Sequence, residues 1–268
     1  MTNSPPQEQV REHVSVHGIH VVVDRRGTGE RVVVVHGEDG ALFLDPFLDA
    51  LAAEQREVCL LHLPGWGVSE PNRSIEGVDD LALLLLDYLE MEHAPAAQVV
   101  AISFGAWVAA HAAVLASHRF AKLALVAPVG IKTAGREERS FVDIWATSSD
   151  ELRASLYGDV SRAPDLRLLD DDAFLRLAYA NEAVARHAWE PYLHDPKLAR
   201  RLYRITTPTL VITGKADRFV LEPDYGQRWV ERLGGPARAV ELDGVGHRIE
   251  EESPNELASL IGDFLAGT

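Results

Sequence analysis

The amino-acid sequence predicts an α/β protein with a mostly parallel, eight-stranded sheet and helices on both faces. Three observations lead to this prediction. Short apolar or alternating runs bounded by turn residues, which are typical of strands, occur eight times. From residue 31 onward they alternate with longer runs of helical spacing. Between residues 131 and 203 the strand-like runs vanish and helical spacing dominates, which indicates an inserted helical cap.

The first elements combine a hairpin with the start of the alternating pattern. Runs at 13–16 and 19–24 are predicted to pair around Gly18, and a third strand follows at 31–36. The next elements are a helix at 44–54, a strand at 57–62 and a helix at 74–91. The apolar side of that helix contains Leu81, Leu84, Leu85, Tyr88 and Leu89. Strands joined by helices of this length imply a parallel sheet covered on both faces.

The later elements continue this order on both sides of the cap. They are strands at 98–102, 122–126, 209–213 and 239–242, and helices at 104–117, 223–233 and after Ser253. Ser253, Pro254 and Glu256 match a capping box with proline at the first helical position. We therefore expect one domain over residues 1–268, with its core at 10–130 and 204–268 and its cap at 131–203.

Charge and cysteine content exclude several classes of protein. The chain has 26 Lys and Arg against 41 Asp and Glu, a net charge of −15, which argues against a nucleic-acid or anionic-membrane binder. Cys59 is the single cysteine, so an internal disulfide is excluded and a reducing compartment fits. The first nine residues lack the basic and apolar regions of a signal peptide. These features predict a cytoplasmic protein.

A candidate nucleophile lies between a predicted strand and a predicted helix. Ala101-Ile102-Ser103-Phe104-Gly105 has a small residue two positions before and two after Ser103, as a sharp strand-to-helix turn requires. Such a turn holds the hydroxyl clear of the sheet at a helix N-terminus, where partial positive charge favours a developing anion. The alternative is that Ser103 only caps the helix, a position that serine favours.

Two further residues follow later strands in the order that such a site requires. Asp217 lies just past the strand at 209–213, and His247 lies in the loop after the last strand. Ligands of open α/β sheets bind at the carboxyl ends of the strands. A serine hydroxyl needs a histidine to take its proton and a carboxylate to orient that histidine. Ser103, Asp217 and His247 are therefore the predicted catalytic residues, although a turn carboxylate and a surface imidazole are each common singly.

The loop His36-Gly37-Glu38-Asp39-Gly40 follows the third strand and supplies the predicted oxyanion hole. Gly37 lets the backbone come close to the substrate, so that the amide of Glu38 and the amide of Phe104 can bind the carbonyl oxygen. Each such donor is typically worth about 3 kcal/mol in the transition state. His36 is predicted to be a buried imidazole that fixes the loop. The Glu38 carboxylate either lines the pocket or faces water.

These motifs together resemble the α/β-hydrolase superfamily in its cap-bearing form. The resemblance extends from the His-Gly loop through His62-Leu63-Pro64-Gly65-Trp66-Gly67-Val68-Ser69 to the terminal Gly-His pair. It implies the α/β-hydrolase fold and its catalytic machinery. Family members that dehalogenate or open epoxides have aspartate at the nucleophile position, and Ser103 argues against those activities. Members that hydrolyse carbon–carbon bonds of ring-cleavage products usually have Trp after the catalytic His, where this chain has Arg248.

Aromatic residues near these loops suggest where a substrate binds. Gly37, Trp66 and Phe219 adjoin the predicted site in the sequence, and the cap contributes Trp145 and Trp189 among eight aromatic residues. If the cap aromatics point toward the sheet, they cover an apolar pocket over Ser103. The equally weighted alternative is that they form the core of the cap itself. No metal-ligand spacing is present among the eleven histidines and the single cysteine, so no metal site is predicted.

The predicted reaction is the hydrolysis of a carboxylic ester of a small or medium, partly apolar substrate through an acyl-enzyme, without a cofactor. An ester is favoured because an alkoxide departs more easily than an amine. One alternative is carbon–carbon bond hydrolysis of an anionic ring-cleavage product, which needs Arg248 or a cap arginine to point into the pocket. The other is a non-catalytic member of the fold that binds a small ligand. The expected partner is a small-molecule substrate, not nucleic acid or membrane, and a homodimer is left open.

Overall fold

The computed structural model describes residues 9–92, 96–135 and 137–267. Eight strands form one sheet in the spatial order β1-β2-β4-β3-β5-β6-β7-β8. The strands are β1 (Val10–Val16), β2 (Ile19–Arg26), β3 (Glu30–Val35), β4 (Arg56–His62), β5 (Ala97–Ile102), β6 (Phe120–Val126), β7 (Thr209–Gly214) and β8 (Ala237–Leu242). β2 pairs antiparallel with β1 and with β4. All pairs among the strands β3 to β8 are parallel. The predicted fold class is confirmed. Residues 1–8, which belong to the segment where we predict no signal peptide, lie outside the described residues.

Helices cover both faces of the sheet because the strands are apolar on both sides. In β3, Val33 and Val35 belong to one hydrophobic cluster, and Val32 and Val34 belong to the other. Side chains alternate between the two faces of a strand, so an uninterrupted valine run buries both. The helices of the sheet layers are α1 (Asp45–Ala53), α2 (Val78–Met91), α3 (Phe104–Ala116), α6 (Tyr225–Val230), α7 (Ile249–Glu252) and α8 (Pro254–Ala266).

The two helical layers are distinguished by the clusters to which their buried residues belong. Leu81 of α2 and Trp229 of α6 pack in one cluster together with most of α3, whereas Leu51 of α1 and Leu257 of α8 pack in the other. The five side chains predicted for the apolar side of α2 are all buried: Leu81, Leu84, Leu85, Tyr88 and Leu89. Helical periodicity therefore identified the buried face of α2 correctly.

The segment predicted as a cap contains two α-helices, α4 (Ser149–Leu156) and α5 (Asp171–Ala188). Short 3₁₀ turns occur at Val160–Arg162, Leu166–Leu168 and Leu202–Arg204. Asp170 caps α5 by accepting a hydrogen bond from the amide of Ala173, and Ser148 and Glu151 form a reciprocal cap at the start of α4. The segment meets the rest of the chain through bridges between Gly130 and His194 and between Phe141 and Val220.

The start of α2 and the cap of α8 differ from their predictions for local physical reasons. α2 begins at Val78 rather than at residue 74, because the Asn72 side chain holds the backbone of Ser74 in a loop and Asp80 accepts from the amide of Gly77. The capping box predicted at Ser253 is wrong, since no capping hydrogen bond is made by that side chain. Ser253 also ends α7, its amide donating to the Ile249 carbonyl, which fixes its backbone away from the capping geometry.

Gly105 stands where the turn after β5 touches the neighbouring strand. A Cβ at this position would lie 2.4 Å from the carbonyl oxygen of His36 and 2.6 Å from that of Val35. Both are backbone atoms, which cannot rotate away as a flexible side chain can. The need for a small residue two positions after Ser103 therefore comes from the end of β3.

We expect Gly105→Ala to lower the free energy of unfolding by about 2 kcal/mol, because the added methyl group forces main-chain atoms apart. Urea-induced unfolding followed by circular dichroism measures this change. Gly135→Ala is the matched control, since its Cβ would meet only the Glu138 side chain at 3.5 Å, and we expect a change below about 0.5 kcal/mol. Equal stability of the two variants would contradict this account of the turn.

Candidate active site

Ser103 occupies a strained backbone position between β5 and α3. Its φ of 45° and ψ of −108° are unusual for a residue with a side chain. Main-chain bonds hold it there, because its amide donates to the Val126 carbonyl at 2.8 Å and its carbonyl accepts from the amides of Ala106 and Trp107. Its hydroxyl does not cap α3. The alternative of a simple helix cap is therefore wrong, and the hydroxyl is available for another partner.

That partner is His247. The distance from Ser103 Oγ to His247 Nε2 is 3.0 Å, and both residues are buried. The ring of Phe219 packs on the imidazole with 4.7 Å between centroids. The amide of His247 donates to the carbonyl of Leu156 at the end of α4, at 2.7 Å. Neighbouring elements thus fix both the ring and the backbone of the histidine.

Asp217 completes a hydrogen-bonded chain of three side chains. His247 Nδ1 lies 2.8 Å from Asp217 Oδ2. The other carboxylate oxygen accepts from the amides of Phe219 and Val220 at 2.8 and 3.1 Å. Both oxygens are therefore engaged, and the carboxylate cannot rotate without losing main-chain bonds. The structure brings together the three residues that the sequence predicts.

The pKa of His247 reflects this surrounding charge. Burial lowers the pKa of His247, but the charge of Asp217, its hydrogen bond and the charge of Glu38 outweigh burial and raise the pKa above the 6.5 typical of histidine. The nearby Arg248 guanidinium opposes that increase. An imidazole with a raised pKa accepts a proton from serine more readily, provided that it begins neutral.

The loop after β3 lies directly against the candidate nucleophile. A Cβ added at Gly37 would lie 3.5 Å from that of Ser103. His36 is buried and bridges the loop, its Nδ1 lying 2.8 Å from the Gly37 carbonyl oxygen and its Nε2 accepting from the amide of Leu63 at 3.0 Å. Burial lowers the pKa of His36 to about 3, so the ring is neutral and fixes the loop as predicted.

The two amides predicted for the oxyanion hole belong to Phe104, which follows Ser103 in the chain, and to Glu38, in the loop that lies against Ser103. Phe104 is the first residue of α3, a position whose amide has no partner within the helix. The amide of Glu38 follows Gly37 in the adjoining loop, and its backbone is held because the Glu38 carbonyl accepts from the indole Nε1 of Trp66 at 2.9 Å. A carbonyl oxygen between these amides would receive donors from two rigid elements.

Sequence reasoning missed a buried cluster of charges beside this site. Arg248 Nη2 lies 3.1 Å from a carboxylate oxygen of Glu38 and 2.6 Å from one of Asp39. Its guanidinium also lies 3.9 Å from the carboxylates of Glu250 and Glu251. We call these five residues the Arg248 cluster. In the sequence, the cluster is indicated by two pairs of acidic residues beside predicted site residues. Glu38 and Asp39 follow Gly37, and Glu250 and Glu251 come shortly after His247.

The carboxyl groups of the Arg248 cluster differ in charge state. Burial raises the pKa of Glu250 to about 7 and that of Glu251 to about 8, against the opposing effect of Arg248. For Glu38, burial favours the neutral form, but Arg248, His247, its own amide and the Ser103 hydroxyl stabilise the carboxylate, so the pKa of Glu38 is lowered. Glu38 is therefore an anion at neutral pH, and its side chain lines the site.

The predicted pocket residues fall into two groups. Trp66 and Phe219 are buried next to the candidate site, Trp66 packing against Phe104 with 5.1 Å between ring centroids and Phe219 against His247. Trp145 and Trp189 pack against each other at 4.9 Å and are 37% and 56% exposed. Trp145 also packs against Tyr192, with 5.8 Å between ring centroids, so this part of the cap forms an aromatic cluster of its own.

A cavity of about 470 Å³ is lined by the loop after β4 and by α5. Gly65, Pro71, Ile75, Tyr179 and His187 are among its lining residues, and none of the three candidate catalytic side chains contributes to it. Ser103 itself is only 3% exposed, so the site is closed over in this conformation.

Metal and membrane features were searched over the described ranges. Within residues 9–92, 96–135 and 137–267, no group of three or more His, Cys, Asp and Glu side chains is arranged to hold a metal ion. None of the helices in the same ranges combines the length and apolar character that a bilayer span requires. Cys59 is buried, and burial raises the pKa of its thiol to about 11.

Comparisons with known proteins identify relatives of this chain and of its fold. The chain is 28% identical to the dihydrolipoyllysine-residue acetyltransferase component of the acetoin cleaving system of Cupriavidus necator, over 96% of this chain and 69% of that protein. A meta-cleavage product hydrolase, CumD, superposes with a TM-score of 0.76 at 18% identity, covering 96% of this chain and 98% of the other. Naproxen esterase from Bacillus subtilis superposes with a TM-score of 0.74 at 15% identity, covering 97% and 92%.

At 18% and 15% identity, the likeness to the two solved structures shows a shared fold and nothing about activity. A family model describing the alpha/beta hydrolase family matches residues 32–260, which include the loop after β3, the turn at Ser103 and the loops of Asp217 and His247. The match covers most of the chain and both sides of the helical insert. The protein therefore belongs to the alpha/beta hydrolase family.

Proposed function

We propose that the protein is a serine hydrolase that cleaves a carboxylic ester of a small or medium, partly apolar substrate through an acyl-enzyme. The observation that carries this proposal is the hydrogen-bonded chain from Ser103 through His247 to Asp217, with distances of 3.0 and 2.8 Å. A nucleophile, a general base and an orienting carboxylate within hydrogen-bond reach are the parts that acyl transfer needs.

In the first half-reaction, Ser103 Oγ attacks the ester carbonyl while His247 Nε2 accepts the hydroxyl proton. Asp217 stabilises the imidazolium that results and holds its Nδ1–H toward the carboxylate. The amides of Glu38 and Phe104 donate to the oxyanion. His247 then returns the proton to the leaving alkoxide, and an alcohol departs from an acyl-Ser103 ester.

In the second half-reaction, water takes the place of the alcohol. His247 removes a proton from that water, the hydroxide attacks the acyl carbonyl, and Ser103 leaves with the proton restored to its oxygen. Every proton and electron pair is accounted for by these three side chains, so the reaction requires no cofactor. The aromatic rings of Trp66, Phe104 and Phe219 supply the apolar surface near the bond to be cleaved.

The two alternatives have less support. A non-catalytic binding protein would tolerate misaligned residues, whereas the distances here suit proton transfer. Carbon–carbon bond hydrolysis of an anionic ring-cleavage product needs a cation that is free to bind it. Arg248, the cation beside His247, is already paired with Glu38 and Asp39. An esterase and a meta-cleavage product hydrolase share this fold, so the fold does not distinguish ester hydrolysis from carbon–carbon bond hydrolysis. The pairing of Arg248 with two acids favours ester hydrolysis.

A fluorophosphonate probe tests the nucleophile. We expect the wild-type protein to be labelled on Ser103, and Ser103→Ala to lose both labelling and about five orders of magnitude in kcat toward 4-nitrophenyl butanoate. Mass spectrometry of the labelled peptide identifies the residue. Ser74→Ala, at an exposed serine, is the control and should react as the wild type does. Folded wild-type protein that neither reacts with the probe nor cleaves the ester would refute the proposed function.

The raised pKa of His247 predicts the acid side of the pH profile. Since the protonated imidazole cannot accept a proton, kcat/KM for a neutral ester should fall as the pH decreases, with a midpoint above 6.5. Asp217→Asn should move that midpoint down, because it removes the largest stabilisation of the imidazolium, and lower kcat by about 10⁴-fold. Steady-state kinetics between pH 5 and 9 measure both effects. A wild-type midpoint below 6.5 would contradict this electrostatic description.

A further inference from the structure

We propose, on the basis of the serine hydrolase function argued above, that Glu38 determines the charge of the substrates that the site accepts. Its carboxylate disfavours substrates with a negative charge close to the ester carbonyl and favours neutral and cationic ones. Four observations carry this inference: the place of Glu38 beside Ser103, its contact with Arg248, the unpaired oxygen of its carboxylate and the excess of acids in the Arg248 cluster.

The position of Glu38 follows from the loop after β3. Gly37 brings the backbone against Ser103, and the Trp66 indole fixes the carbonyl of Glu38 itself. The side chain is 15% exposed. Main-chain packing and the Trp66 side chain thus hold Glu38 next to Ser103. Contacts within the chain are sufficient to fix this position.

Arg248 fixes the direction of the Glu38 carboxylate. Arg248 directly follows His247 in the sequence. Its guanidinium is 6% exposed and lies within ion-pair distance of the carboxylates of Glu38 and Asp39. An arginine in such a place could have bound an anionic substrate. Here its charge is already shared by two acids at 3.1 and 2.6 Å, so a third anion would compete with both.

One oxygen of the Glu38 carboxylate remains without a partner. Within the described part of the chain, Oε2 is buried and accepts no hydrogen bond. A buried acceptor without a donor is unfavourable, and a ligand that supplies a hydroxyl, an amide or an ammonium group relieves that cost. A ligand that brings a second carboxylate adds an unpaired acceptor and a like charge.

Acids outnumber cations in the Arg248 cluster, with four carboxyl groups around one guanidinium. Glu250 and Glu251 are partly or mainly protonated near pH 7, given pKa values of about 7 and 8, and burial raises the pKa of Asp39 as well. The pKa of Glu38 is lowered, so its carboxylate stays ionised. In a closed site of low dielectric constant, the charge of Glu38 acts strongly on a substrate charge a few ångströms away.

Three 4-nitrophenyl esters that differ in permanent charge test the inference. They are the esters of butanoic acid, 4-sulfobutanoic acid and 4-(trimethylammonio)butanoic acid, which are neutral, anionic and cationic at every working pH. We expect the wild-type kcat/KM for the anionic ester to be at least tenfold below that for the neutral one, and the cationic ester to be cleaved at least as well as the neutral one.

Glu38→Gln keeps the size of the side chain and removes its charge. We expect the ratio of kcat/KM for the anionic ester to that for the neutral ester to rise about tenfold, and the corresponding cationic ratio to fall. The ratios cancel any general loss of activity or of folded protein. Asp39→Asn is the comparison variant, because Asp39 also contacts Arg248, whereas Glu38 interacts in addition with the Ser103 hydroxyl. We expect its ratios to change in the same direction but by a smaller factor than those of Glu38→Gln.

Glu38→Asp provides a second test if the glutamine variant does not fold. It retains the charge but draws the carboxylate back from Ser103 by one methylene group, so the selectivity should relax by a smaller factor. Wild-type protein that cleaves the three esters equally, or unchanged ratios in an active Glu38 variant, would overturn the inference while leaving the serine hydrolase proposal intact. Absence of both fluorophosphonate labelling and cleavage of all three esters would overturn the two together.

Discussion

The structure depends on the parallel pairing of the strands from β3 to β8. Because their carboxyl ends all reach the same edge, the residues that follow β3, β5, β7 and β8 meet there although they are far apart in the sequence. The hydrogen bond between His247 and Asp217 joins two of these loops, and the bond between His247 and Ser103 joins a third. The register of the sheet therefore determines how these loops approach one another.

Patterns with a strict local cause could be predicted from the sequence. The valine run of β3, the helical spacing of α2 and the strand-to-helix turn at Ser103 are each dictated within a few residues of chain. The order of Ser103, Asp217 and His247 added a long-range constraint, and the structure places these three side chains within hydrogen-bond distance of one another. Element boundaries were less accurate, because side chains such as Asn72 and Asp80 decide where a helix begins.

The Arg248 cluster shows what sequence reasoning could not supply. Arg248 was identified as a candidate for binding an anion, but the sequence does not show that the acids of two separate loops converge on it. That convergence depends on tertiary packing. Nor did the sequence decide between the two expectations for the cap aromatics. Trp145 and Trp189 pack on each other and remain partly exposed, a contact between two parts of the cap that are distant in the sequence.

The bond from the His247 amide to the Leu156 carbonyl ties the end of α4 to the candidate general base. A rearrangement of α4 would therefore be transmitted to the imidazole. The helix α5 reaches the site less directly, through His187, whose ring stacks on Trp66 with 5.8 Å between centroids. Engineering of the insert should therefore conserve the junction at Leu156, because a shift of that carbonyl would move the imidazole relative to Ser103 and Asp217.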